Sequence, residues 1–237
     1  MPSGLSMARC ALPKSLQSVE PIMSNPRSDY KPVRYEDFIR RCIDISGALF
    51  ILVLLLPLVL TVVFLVMLDG GPPLFVQRRI GKNGIPFHRF KFRTMMVGAE
   101  QCLEEYLRYH PEVTEEWVRD QKLKFDPRVT PVGRLLRKTS LDKIPQLWNV
   151  FVGDMSLVGP RPVTESDMRD EYGRYTSVVL SVRPGVTGLW QISGSKDINY
   201  GNRVRLETQY VQTRRLITDL VVLFKTTRVV LARVGAR

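Results

Sequence analysis

Ile45 to Leu68 is a run of 24 residues without one charged side chain, in a chain of 237 residues of which 24% are charged. Its centre, ALFILVLLLPLVLTVVFLVML from Ala48 to Leu68, reaches the roughly 20 apolar residues that a bilayer's hydrocarbon layer requires. A buried helix of a soluble protein is seldom apolar on every face over such a length. A cleaved signal peptide fits poorly, because the run starts late, is long, and has no small-residue cleavage site before its charged C-terminal flank. Membrane insertion is therefore the expectation.

Whether the run crosses is a separate matter. Lys31, Arg34, Arg40 and Arg41 precede it, and Arg78, Arg79, Lys82, Arg89, Lys91 and Arg93 follow it. Positive residues normally stay on the cytoplasmic side, so a straight crossing strands one basic flank. Pro57, near the middle, removes a backbone donor and kinks or breaks a helix. A bent helix that enters and returns to the same face satisfies both observations. A proline-kinked crossing is the alternative that the residues alone leave open.

Residues 1–30, rich in Pro and Ser, read as a disordered cytoplasmic leader. A short interfacial helix is expected over Tyr35–Asp44, leading into the run, which Gly70-Gly71-Pro72-Pro73 terminates. The expected units are thus the leader, an interfacial and re-entrant membrane segment at 31–69, and a cytoplasmic catalytic domain at 70–237. Within the last unit, LFVQRRIGKNGIPFHRFKFRTM reads as two strands about a Lys82-Asn83-Gly84 turn. Residues 94–121 hold seven acidic against two basic side chains and read as one or two solvent-facing helices split at Pro111. GDMSLVGPRP at 153–162 and SVRPGVTGLWQISG at 181–194 are loops by composition. The tail from Arg203 to Arg233 has a helical pattern, with Leu216, Leu220, Leu223, Phe224, Thr227, Val230 and Leu231 on one face. That face suits either an anionic membrane surface or the core. Trp148 and Trp190 suit headgroup depth or a packed core equally.

The charge balance narrows the partners. Thirty-five basic against 23 acidic residues give +12, which becomes +17 once the acidic 94–121 segment is set aside. Such an excess favours an anionic partner. Nucleic acid is disfavoured, since the basic residues gather near the membrane segment and no aromatic–basic alternation of RNA-binding type occurs. Three dispersed cysteines and two histidines argue against a disulfide scaffold, a zinc site or Ser–His nucleophilic chemistry. Asp142, in TSLDKIPQ, and Asp154, in GDMS, lie among Arg, Lys and Gly residues. An aspartate can attack a phosphoryl group and hold it covalently while neighbouring cations stabilise the transition state. A structural salt bridge is the plainer role for either one.

RCIDISGALF at 41–50, with Arg40 before it, FVQRRIGKNGIPFHRFKFRTM at 75–95, GRLLRKTSLDKIPQLWNV at 133–150, GDMSLVGPRP and RPGVTGLWQISG occur in the order found in one family. From Tyr35 to Gly235 the chain resembles the bacterial sugar transferases, the monotopic phosphoglycosyl transferases, and most of all the catalytic domain of undecaprenyl-phosphate galactose phosphotransferases. The resemblance implies an α/β fold, mostly helical with a small sheet or hairpin, anchored by a re-entrant helix broken at Pro57 and by amphipathic surface helices. It implies transfer of hexose-1-phosphate, galactose or glucose, from a UDP-sugar to undecaprenyl phosphate. UMP is released and Asp142 is the covalent nucleophile, at the first step of exopolysaccharide, capsule or O-antigen assembly. Arg79, Lys91, Arg93, Arg137, Arg161 and Arg183 fall in the basic motifs and become candidates for phosphate contacts. The implied place is the cytoplasmic face of the bacterial inner membrane, among anionic phospholipids. A homodimer and downstream glycosyltransferases complete the partners considered.

One departure bears on the chemistry. The family motif usually has glutamate after the nucleophile, where it helps hold Mg²⁺; here the residue is Lys143. An ammonium repels a hard cation. Asp154 with the donor's phosphates can hold Mg²⁺ more weakly, or Lys143 itself can neutralise phosphate. The third alternative is a weakly active or inactive relative that serves as a binding or scaffold protein at the membrane. In QISGSK, Ser195 replaces a frequent arginine, and Lys196 is the available substitute.

Overall fold

In the computed structural model the apolar run is not one helix: α1 (Arg34–Leu54) and α2 (Leu56–Met67) share it, bent by 64°. The structure describes residues 34–120, 123, 125–192 and 200–231. The expected leader, Lys31, Ser195, Lys196 and Arg233 lie outside the described residues. Pro57 causes the break, because it offers no N–H to the carbonyl of Val53 and its ring collides with that oxygen. Leu55 N still donates to Ile51 O at 2.9 Å, and Val59 N resumes the ladder to Leu55 O at 2.8 Å. Among the described residues no single helix is long and apolar enough to cross a membrane.

Chain order continues with β1 (Leu74–Ile80), β2 (Pro86–Phe92), α3 (Ala99–Tyr109), α4 (Thr114–Asp120), α5 (Pro131–Thr139) and α6 (Gln146–Val152). Then come β3 (Ser156–Val158), α7 (Glu165–Asp167), α8 (Thr176–Val179), β4 (Gly185–Thr187), α9 (Leu189–Ile192), α10 (Tyr200–Gln212) and α11 (Leu216–Leu231). The antiparallel hairpin β1–β2 forms about the Lys82–Gly84 turn, with Asn83 in the left-handed region at φ 58°. α3 and α4 are split at Pro111.

Two expectations are corrected. The Gly/Pro-rich stretches taken as loops contain β3 and β4, which pair in parallel through Ser156–Gly185 and Val158–Thr187. Three-residue strands framed by glycine give no alternation to detect, and glycine is what lets them meet: a Cβ on Gly185 would lie 2.1 Å from Gly159 N. The tail is two helices rather than one, interrupted between Gln212 and Leu216. Its expected single apolar face is also divided. Val222 is fully buried and Leu223 packs against the core, whereas Ile217, Leu220, Val221 and Phe224 point outward.

The core gathers Leu136, Leu147, Val150, Met155, Val158, Val178, Tyr210 and Val222 with a narrow seam of the membrane pair, Ala48, Val62 and Val66. Most of that pair stays open: Phe50, Val53, Leu54, Leu60, Phe64 and Leu68 each expose more than half their surface. Soluble monomers do not leave so large an apolar patch to water. This is a mostly helical, monotopic type of membrane protein with a proline-broken helix pair.

The interfacial segment Tyr35–Asp44 is continuous with α1, and its charges are engaged by the body. Arg40 Nε donates to Asp219 Oδ2 at 2.8 Å, and Tyr210 Oη donates to the other oxygen at 2.6 Å. Arg41 donates to the carbonyls of Val150 and Phe151 at the end of α6, at 2.7 and 2.8 Å. Asp44 accepts from Ser156 Oγ at 3.1 Å and Leu157 N at 2.8 Å. The anchor is therefore bolted to the domain rather than tethered to it.

Candidate active site

The hairpin supplies the cations. Its register sets Arg79 opposite Phe87, Gln77 opposite Arg89 and Phe75 opposite Lys91. Directly opposed residues share one side of a sheet, so Gln77, Arg79, Arg89 and Lys91 form a single patch. Gln77 Oε1 accepts from Arg79 Nη2 at 2.8 Å and from Arg89 Nη2, joining the two guanidiniums. Arg79 Nη1 also pairs with Asp167 Oδ2 at 3.3 Å. Asp167 is held in turn by reciprocal hydrogen bonds with Thr164, a capping box. Burial pushes the Asp167 carboxyl up, but those bonds and the charges of Arg79 and Arg161 outweigh it and hold the group below its ordinary range.

The opposing carboxylate comes from a tight turn. Thr130 caps α5 by accepting from Gly133 N at 2.9 Å. Gly133 itself is required because a Cβ there would meet Thr94 O at 2.0 Å. The helix ends at Ser140, which adopts φ 60°, and the chain passes through a 3-10 turn at Leu141–Lys143 before Pro145 leads into α6. That turn packs on β2. Asn149, fully buried on α6, fixes the distance between the two elements. Its Oδ1 accepts from Phe90 N at 3.1 Å and its Nδ2 donates to His88 O at 2.8 Å, so the side chain pairs with the outer edge of β2 as a further strand would.

Asp142 consequently lies in a field of positive charge. Burial, and then Arg89, push the Lys91 ammonium down to about 7; Asp142 opposes this, while Lys143 and Arg161 add to it. Arg89 is pushed down to about 9 by burial and by Arg79 and Arg161, again opposed by Asp142. Five cations, Arg79, Arg89, Lys91, Lys143 and Arg161, thus outnumber the two aspartates among them, Asp142 and the Arg79-paired Asp167. Such a cluster is complementary to a polyanion such as a diphosphate.

The predicted site residues divide. Arg79, Lys91 and Arg161 share this neighbourhood with Asp142 and Lys143. Arg137 stands at its edge, donating to Thr94 Oγ1 at 2.9 Å and sensing Asp126 and Asp142. Arg93 instead donates to Val66 O at 2.8 Å, where it caps the end of α2. Arg183 donates to Gly153 O at 2.8 Å, beside Arg41 at the end of α6. Asp154 accepts from Asn149 Nδ2 at 3.3 Å. Among the described residues no three His, Cys, Asp or Glu side chains gather at one point. The carboxylates here, Asp142 and Asp167, stand among ammonium and guanidinium groups, and Asp167 is already engaged by Arg79 and Thr164, a set that does not fit Mg²⁺ held by two protein carboxylates. Arg89, Gln77 and Asn149 are absent from the sequence prediction. Arg89 was within reach of it, since the two-residue period of a strand sets Phe87, Arg89 and Lys91 on one face.

A hairpin of cations with an aspartate turn packed on it, beside a broken apolar helix pair, is an arrangement complementary to an anionic ligand. The family model for bacterial sugar transferases matches residues 35–233, and the chain belongs to that family. It is 47% identical over 199 residues to the UDP-galactose-lipid carrier transferase of Erwinia amylovora, covering 84% of this chain and 42% of that protein. It is 45% identical over 203 residues to the undecaprenyl-phosphate galactose phosphotransferase of Salmonella typhimurium, covering 86% and 42%. With the exopolysaccharide production protein ExoY of Rhizobium meliloti it shares 49% over 188 residues, 79% of this chain and 83% of that one. The chain thus spans about two-fifths of the length of the first two relatives.

Proposed function

We propose that the chain transfers hexose-1-phosphate, galactose or glucose, from a UDP-sugar to undecaprenyl phosphate at the cytoplasmic face of the bacterial inner membrane. The observation that carries this reading is the Asp142 turn packed against a hairpin face whose side chains are Arg79, Arg89 and Lys91. In the first step an oxygen of Asp142 attacks the phosphorus that bears the sugar. The P–O bond to UMP breaks, and UMP leaves with that electron pair. In the second step a phosphate oxygen of the lipid attacks the same phosphorus. The Asp142–phosphorus bond breaks, giving a diphosphate-linked lipid and the free carboxylate. Both transition states concentrate negative charge on phosphoryl oxygens, where preorganised cations stabilise them most. We assign that work to Arg79, Arg89, Lys91, Lys143 and Arg161.

The membrane pair returns to the face it entered, which keeps both basic flanks in the cytoplasm. The outward residues of α11, Ile217, Leu220 and Phe224, lie beside Lys225 and Arg228 and suit anionic phospholipid. The test is UMP release by the detergent-purified full chain, given undecaprenyl phosphate and a panel of UDP-hexoses. Asp142→Asn is expected to abolish release while retaining UDP binding. A wild-type chain that releases no UMP from any donor, yet still binds UDP and lipid, would overturn the transferase reading in favour of a binding protein.

A further inference from the structure

Behind Arg161 lies a buried ionic network that the proposed chemistry does not use. Glu207, on α10, is 2% exposed, yet it receives two hydrogen bonds from other parts of the fold and an ion pair from its own helix. Tyr172 Oη donates at 2.6 Å, Arg161 N at 3.2 Å, and Arg203, one turn earlier on α10, pairs through Nε at 3.5 Å. Burial raises the Glu207 carboxyl above its ordinary range, and those donors act against the rise. The same arginines flank one indole. The Arg203 guanidinium lies 5.2 Å from the centroid of Trp190 and that of Arg161 lies 5.9 Å from it, both within cation–π reach. Arg161 is therefore held twice, its backbone by Glu207 and its head group by Trp190, while Arg203 ties the two holds together.

We infer that Glu207, Arg203 and Trp190 form a positioning unit that orients Arg161 toward the donor diphosphate. The inference rests on the reading of the Asp142 cluster as a diphosphate site. A purely architectural network would need no indole beneath a guanidinium whose charge reaches Arg89 and Lys91. Nor would it need a backbone bond to the very residue that follows the Gly159-Pro160 turn. The unit joins α10, the loop after β3 and α9, elements that also pack on one another, as where Tyr210 Oη donates to Val158 O at 3.4 Å. Trp190 and Glu207 are thus positioning residues, acting on the ligand through Arg161.

The experiment is calorimetric titration of UDP into the detergent-purified full chain, with a double-mutant cycle between residues 161 and 190. Arg161→Ala is expected to weaken UDP about tenfold, the loss of one charge-assisted contact. Trp190→Leu should weaken it about three- to fivefold, and Trp190→Phe, which keeps an aromatic face, should recover most of that loss. Combined with Arg161→Ala, Trp190→Leu should add nothing, because its effect passes through the missing guanidinium. Glu207→Gln, which keeps the shape of the side chain, should repeat the Trp190→Leu pattern. Full additivity of the two substitutions, or unchanged affinity in Trp190→Leu and Glu207→Gln, overturns the positioning role while leaving the diphosphate site standing. A wild-type chain that does not bind UDP removes that site and this inference together.

Discussion

Replacing Lys91 with methionine should make the protein more stable and less able to bind its ligand. The native ammonium is driven from an ordinary 10.5 to about 7 by burial and by its cationic neighbours. Keeping it protonated in the fold at or below neutral pH therefore costs on the order of 4 kcal/mol. The folded-state pKa lies below the unfolded one. The penalty is thus complete below about pH 7 and disappears as pH climbs toward 10.5, because the unfolded chain binds more protons throughout that interval. Methionine preserves the apolar stem and removes the charge, so Lys91→Met should gain about 2–4 kcal/mol near pH 6.5 once relaxation of the neighbours is allowed for. For a chain of this size that is a rise in Tm of roughly 5–10 °C. Thermal melts of both proteins in one detergent at pH 6.5 and 9.5 measure it. The advantage should shrink markedly at the higher pH. In parallel, UDP should bind the variant at least about tenfold more weakly and bind the wild type at pH 8 with net proton uptake, detectable as a dependence of binding enthalpy on the buffer. A variant no more stable at pH 6.5, or an advantage equal at both pH values, would refute the account of a self-repelling cluster relieved by a polyanion.

Two further outcomes follow from the backbone. Pro57→Leu restores a donor to Val53 O and should fuse α1 and α2 into one helix about 50 Å long. Protease or label accessibility of an N-terminal tag in spheroplasts should then change from protected to exposed, and an unchanged pattern would count against re-entrance. Gly185→Ala forces a Cβ to within 2.1 Å of Gly159 N and should lower Tm by about 3–10 °C, whereas Gly201→Ala, whose Cβ meets nothing within 4 Å, should be neutral or mildly stabilising. Equal melting temperatures for the two alanine variants would show that β3 and β4 are not held by close approach.

The elements legible in the sequence are those whose signals are local. Pro57 announces the break because a missing N–H acts wherever proline sits in a helix. Lys82-Asn83-Gly84 announces the hairpin because its turn needs positive φ. β3 and β4 leave no such trace, since what they share is a gap between backbones from distant segments. The site divides along the same line. Asp142 and Lys91 can be picked out from motifs, but Arg93 and Arg183 carry the same charge in equally basic motifs and are drawn off to the carbonyls of Val66 and Gly153. Charge along a sequence does not reveal which helix end will claim it. Asn149 is the opposite case: an unremarked amide inside LWNV that closes the edge of β2, a role visible only when α6 and the hairpin are side by side.

The bond between Arg40 and Asp219 joins residues 179 positions apart and links the first described helix to the last. During synthesis at about 5–20 residues per second, Arg40 waits roughly 10–35 s for its partner to be made. For that interval the membrane pair exists without the ion pair that locks its angle to the domain. The bonds of Arg41 to Val150 and Phe151 and of Asp44 to Ser156 and Leu157 can form earlier, and the Arg40–Asp219 bond completes the attachment last. Synthesis halted before Asp219 would leave Arg40 paired with Glu36 and Asp37 of its own helix but without the bond that joins that helix to the last one.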